Sequence, residues 1–186
     1  LLAAMNCAQV QVRRRPVVAL VATGDELVMP GETPGADQIL SSNNFGLKAL
    51  VEAAGGSARI LPIAADDVDA LRGVLDMGRS ADVIVTLGGA SVGDRDLVRQ
   101  VASDAGLAQS FYKVAMRPGK PLMAGMLGAT PMIGLPGNPV SSMVCGTVFL
   151  VPALRAMLGL GKAAMPREVA RLGRDIGGHG PRCHYM

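Results

Sequence analysis

The 186-residue chain has no tryptophan, two tyrosines and three phenylalanines, so aromatics make up only 3% of it. Single-stranded nucleic acids are held on stacking rings, and this shortage argues against a nucleic-acid partner. Excess charge is also scarce. Lys plus Arg number 18 against 15 Asp plus Glu, and only Arg13, Arg14 and Arg15 form a run, the pattern of a solvated linker. The three cysteines, Cys7, Cys145 and Cys183, lie far apart with no CxxC, which predicts a reducing, cytoplasmic location. The two histidines, His179 and His184, both fall in the last stretch, so no Ser-His-Asp or Cys-His set is available. Together with Cys183 they match no zinc spacing. No apolar run reaches the ~18–20 residues of a membrane span, and residues 1–12 lack the basic start and apolar length of a signal peptide. The sequence opens on Leu1 rather than Met, from which a preceding portion is expected.

What is present is a core. Hydrophobic residues make up 49% of the chain, and the 24 Gly and 12 Pro are roughly a fifth of it, below the level that marks low complexity. One domain of ordinary size is expected, with a fragment of a second. Residues 17–23 (VVALVAT), 59–63 and 83–87 (VIVTL) read as strands, the first and last buried on both faces. Helices are expected after Ser42, stopping at Gly55-Gly56, after Asp66 or Asp67, ending near Gly78, and over 97–105. Residues 111–116, 121–126 and 131–135 are short apolar segments separated by turn residues, the pattern of a β-excursion or hairpin. A long apolar helix over 140–158 follows, with Pro152 expected to kink or restart it. This alternation predicts an α/β fold of three layers, α/β/α, around a mostly parallel sheet.

Four stretches carry residue types suited to chemistry. GGASVGDRD, residues 88–96, follows a buried strand. Paired glycines let backbone approach a ligand, Ser91 adds a hydroxyl, and Asp94 and Asp96 suit a hard cation such as Mg²⁺. It is neither a dinucleotide fingerprint nor a Walker A, and a tight, capped turn is the alternative. TGDEL, residues 23–27, brings Asp25 and Glu26 to the carboxyl edge of the sheet, where such folds bind ligands; a closed turn with a solvated Glu26 is the alternative. KVAMRPGKP, residues 113–121, gathers Lys113, Arg117 and Lys120. On an extended strand the first two share a face and could converge on one anion, while a solvated edge is the plainer reading. LPGNPVSS, residues 135–142, is stiffened by Pro136 and Pro139 around Gly137. It offers Asn138 or Ser141 as a cap and an oxyanion cradle at a helix start.

In order along the chain, TGDEL, SSNN, ADD, GGASVGDRD, KVAMRPGKP and LPGNPVS resemble the molybdopterin molybdenumtransferases, the MoeA family, to which gephyrin's C-terminal region is related. The resemblance covers 13–160 as a molybdopterin-binding domain. It makes 1–12 the tail of a preceding region and 161–186 the truncated start of a small C-terminal β-domain. It implies insertion of molybdate into adenylylated molybdopterin with release of AMP, assisted by Mg²⁺. By the same resemblance Glu26, Asp66 and Asp96 hold the metal and, with Lys113, are catalytic. Gly88, Gly89, Ser91, Arg117, Lys120, Pro136, Gly137, Asn138, Pro139 and Ser141 bind the cofactor. A homodimer completed by an N-terminal region and a MogA-type adenylyltransferase partner are implied too. Ser41-Ser42 stands where many relatives carry Asp, so one acidic ligand is absent. A MogA/MoaB-type adenylyltransferase and a non-catalytic scaffold share the fold and remain alternatives here.

Overall fold

The computed structural model describes residues 1–88, 97–161, 168–171, 173–174, 177 and 180–185. In chain order, after a 3-10 turn at Ala3–Met5, the elements are β1 (Val17–Ala22), β2 (Leu27–Val28), β3 (Ile39–Leu40), α1 (Asn43–Ala53), β4 (Ser57–Ile60), α2 (Val68–Gly78), β5 (Val83–Leu87) and α3 (Leu97–Asp104). Then come β6 (Leu107–Tyr112), β7 (Met116–Arg117), β8 (Met123–Leu127), β9 (Thr130–Leu135), α4 (Pro139–Cys145), a π-helical turn (Gly146–Leu150), α5 (Val151–Met157) and β10 (Cys183–His184).

Six strands form one sheet in the order β4-β1-β5-β9-β8-β6. The first four are mutually parallel, and β8 runs antiparallel to both β9 and β6. The expected excursion therefore extends the main sheet instead of standing apart from it. Alternation along the strands sends side chains to two separate cores. Ala19, Val21, Ile84 and Met132 meet Leu71, Val74 and Leu75 of α2 and Val98 and Val101 of α3. Val18, Leu20, Val85 and Leu135 meet Leu47 and Val51 of α1 and Cys145, Leu150 and Leu154 of the last helix. The three layers predicted from the sequence are present.

Several boundaries differ from the sequence reading. β4 starts at Ser57, two residues earlier than expected, and ends at Ile60, three earlier, because its partner β1 supplies a register only from Val17 to Leu20. Asp67, not Asp66, caps α2, its carboxylate accepting from the N–H groups of Asp69 and Ala70 at 3.0 and 2.9 Å. Ser42 precedes α1 but gives it no side-chain cap. Pro152 neither breaks nor visibly ends its helix: the π turn immediately before it, with Val151 N–H donating to Gly146 O, loosens the backbone ahead of the ring. Bridged in this way, Pro139–Met157 runs as a 19-residue helix of mean hydropathy 1.6, long and apolar enough to cross a membrane by length and composition alone. Here Cys145, Leu150 and Leu154 pack it on the sheet.

Candidate functional site

The carboxyl ends of β1, β5 and β9 open onto one edge of the sheet. Thr23 continues β1 by donating its N–H to Leu87 O at 3.0 Å and by bridging to Ala64, whose carbonyl accepts from Gly24 N–H at 3.2 Å. Gly24 has φ +141, and a Cβ there would overlap the Glu26 carboxylate folded against it. Asp25 Oδ1 accepts from Asp66 N–H at 3.0 Å. The three carboxylates of Asp25, Glu26 and Asp66 therefore form one acidic corner. Burial, reinforced by the charges of Asp25 and Glu26, raises the Asp66 carboxyl above the usual carboxylate range, and a backbone hydrogen bond from Asp25 partly offsets it.

Beside this corner lies a pocket of about 160 Å³ lined by Thr23, Glu26, Asn43, Gly88, Gly137 and Pro139, with Leu27, Leu40 and Leu87 among its apolar lining. Gly88 has φ +92, and a Cβ on it would stand 2.8 Å from Thr23 O, so no side chain fits where β5 turns out of the sheet. Gly137 approaches it from the opposite wall: its own added Cβ would sit 3.3 Å from the Gly88 Cα. Asn43 Nδ2 ties the two walls by donating to Gly137 O at 2.7 Å. Asn138 caps α4, Oδ1 accepting from Ser141 N–H and Oγ at 3.2 and 3.3 Å, and Pro139 occupies the first helical turn. Pro136 is buried behind them. Ser41 is also buried, and its Oγ accepts from Asn44 Nδ2 at 3.3 Å.

The basic segment reaches the same edge from the other half of the sheet. Register pairs link Tyr112 to Met123, Met123 to Gly134 and Gly134 to Thr86, so the residue after Tyr112 stands level with Leu87. Three strand spacings separate it from β5, roughly 14 Å. Lys113 and Arg117 do not share one strand, which corrects the expectation of a common face. Lys113 has φ +65 and ends β6, while Arg117 belongs to β7, which pairs with β10. The segment is folded through its backbone: Lys113 N–H donates to Leu122 O at 2.7 Å, and Lys120 O accepts from Val114 and Leu122. The side chains of Lys113, Arg117 and Lys120 are exposed and do not line the pocket.

Of the sequence-predicted site residues, the structure gathers Glu26, Gly88, Gly137 and Pro139 at the pocket, with Asp66, Pro136, Asn138 and Ser141 adjoining. Gly89, Ser91 and Asp96 lie outside the described residues, as does Asp94. Asn43 and Thr23 were not singled out by sequence; the SSNN and TGDEL strings that contain them were the available signal. Asp25, read with Glu26 as a carboxylate at the ligand-binding edge, with turn closure as the alternative, stands in the acidic corner.

Among the described residues no three His, Cys, Asp or Glu converge to hold a metal ion. The donor chemistry nevertheless suits Mg²⁺, which keeps most of its waters and takes one or two carboxylates plus a ligand phosphate. Burial, then the charges of Asp25 and Glu26, disfavour the Asp66 carboxylate, and a bound cation would offset both.

A family model described as "Probable molybdopterin binding domain" matches residues 19–156. The chain is 39% identical over 170 residues to a protein named molybdopterin molybdenumtransferase from Nostoc sp., covering 89% of this chain and 39% of that one. It is 38% identical over 178 residues to molybdopterin molybdenumtransferase 2 of Mycobacterium tuberculosis, covering 92% and 44%. The chain thus spans less than half the length of these relatives. The crystal structure of the molybdopterin biosynthesis MoeA protein from Pyrococcus horikosii superposes with a TM-score of 0.72 at 33% identity, over 78% of this chain and 36% of that one. A molybdenum cofactor biosynthesis protein B shares the fold, with a TM-score of 0.58 at 15% identity. With the family model spanning most of the α/β body, and the glycine-built pocket inside the matched range, the chain belongs to the molybdopterin-binding-domain family.

Proposed function

We propose that this chain is the molybdopterin-binding part of a molybdopterin molybdenumtransferase, which inserts molybdate into adenylylated molybdopterin and releases AMP. The observation that carries the reading is the pocket at Gly88 and Gly137, set between an acidic corner and a basic segment on one sheet edge. Identity of 38–39% to proteins named for that activity supports it. The ligand's phosphates lie along the backbone at Gly88, Gly89 and Ser91, with Pro136, Gly137, Asn138, Pro139 and Ser141 as the rigid opposite wall. Asp66, Glu26 and Asp96 would hold Mg²⁺, which would neutralise phosphate charge. Glu26 and Asp66 orient the water that cleaves the anhydride. Lys113, Arg117 and Lys120 offset the negative charge of phosphate or molybdate, the electrostatic contribution expected to dominate.

The same reading divides the chain into a preceding tail over 1–12, the binding domain over 13–160 and the opening of a C-terminal β-domain over 161–186. It places the protein in the cytoplasm, as a homodimer supplied by a MogA-type adenylyltransferase. The test is to incubate the protein with adenylylated molybdopterin and Mg²⁺ and follow AMP with and without molybdate. Molybdate-dependent release is expected, lost in Asp96→Ala. Formation of the adenylylated species from molybdopterin and ATP would overturn the reading in favour of an adenylyltransferase.

A further inference from the structure

Lys113 packs its ammonium against an aromatic ring at the carboxyl edge. Its backbone adopts φ +65, which side-chain-bearing residues seldom do, and its N–H is tied to Leu122 O. Its Nζ lies 4.7 Å from the centroid of the Tyr112 ring, and Arg99 from α3 brings Cζ to 4.8 Å from the same centroid. Tyr112 itself is half-buried against the core that α2 and α3 share, so the ring is fixed from below. Among the described residues no carboxylate pairs with Lys113.

We propose that Tyr112 is a positioning residue whose ring face holds the Lys113 ammonium at the carboxyl edge of the sheet for an anionic group of the ligand; this rests on the reading of the site as a phosphate-bearing pterin site. An aromatic face attracts a cation within about 6 Å and restrains an otherwise flexible four-carbon stem. Unlike a carboxylate, it does so without cancelling the charge or competing with the incoming anion. Arg99 links the same ring to α3, the helix that follows the GGASVGDRD stretch in the chain.

A double-mutant cycle tests this, read as affinity for adenylylated molybdopterin and, separately, for inorganic pyrophosphate. Tyr112→Leu is expected to weaken binding about fivefold, Tyr112→Phe less than about twofold, and Tyr112→Leu to add nothing once Lys113→Gln is present. The Lys113 ε-methylene protons should be shifted upfield by the ring current in the unmodified protein and in Tyr112→Phe, and return to ordinary values in Tyr112→Leu. An unshifted signal in the unmodified protein overturns the proposal even should Tyr112→Leu fold poorly. So does an equal loss from Tyr112→Leu in the Lys113→Gln background. Tyr112-dependent pyrophosphate binding without any molybdate-dependent AMP release would instead remove the proposed function and leave the positioning role standing. Full AMP release by Tyr112→Leu, with unchanged affinity, would do the reverse.

Discussion

At the parallel end of the sheet, Glu26 folds against Gly24 and Asp25 accepts from the Asp66 N–H, and burial together with these two charges keeps the Asp66 carboxyl above its usual range. At the antiparallel end, Lys113, Arg117 and Lys120 stand exposed on a segment held together through its backbone and one aromatic ring. Like charges are pressed together in the first region and spread apart in the second. The acidic corner therefore bears a cost in the free protein that a bound cation would relieve, whereas the basic arm waits at little cost. A ligand that carries anionic groups and recruits a divalent cation would satisfy both ends at once.

The comparison breaks most readily at the joint between the two walls of the pocket. Gly88→Ala places a methyl 2.8 Å from Thr23 O at a φ that alanine resists, and should cost about 2–3 kcal/mol in urea unfolding and abolish pterin binding. Retention of wild-type stability would mean the turn has room that its geometry denies. Asn43→Ala removes the 2.7 Å bond to Gly137 O and should cost about 1 kcal/mol, with a several-fold loss of ligand affinity measured by titration calorimetry.

Asp66→Asn sharpens the comparison through pH. Because the folded-state pKa of Asp66 is raised, the native protein loses stability as pH climbs from the ordinary 3.8 through the raised value. The variant should therefore be the more stable of the two at neutral pH, with the difference closing as pH falls back to 3.8. Added Mg²⁺ should raise the melting temperature of the unsubstituted protein more than that of Asp66→Asn. The smallest effect belongs to the basic arm: Arg117→Gln and Lys120→Gln should change stability by less than about 0.5 kcal/mol while flattening the salt dependence of ligand binding. A large loss of stability in either would erase the contrast.

Much of this was legible in the sequence because it rests on local rules. The runs 17–23 and 83–87 are buried on both faces and announce a parallel sheet. The Asn138 cap and the Pro139 helix start are written in adjacent letters. What the sequence withheld depends on contacts distant in the chain. That Asn43 reaches Gly137, 94 residues away, follows from the packing of α1 beside α4 and from nothing in SSNN itself. Lys113 and Arg117 looked co-facial because period-2 reasoning assumes an unbroken strand, and a left-handed residue at 113 ends that assumption. The length of the last helix was legible, 140–158 against the observed Pro139–Met157, but the π turn that accommodates Pro152 was not.

That π turn has a consequence for how the two ends of the helix can vary. A turn closed over five residues holds one residue beyond the α repeat and so resets the helix's angular phase by about 100°. The Pro139 end can thus take its orientation from the Asn138 loop and the pocket, while Leu150 and Leu154 take theirs from the sheet. Removing a single residue between 146 and 150 would restore an unbroken α-helix and force the two orientations to agree. Homologous chains one residue shorter at this point should therefore show compensating changes either in the PGNP loop or in the apolar residues that follow it.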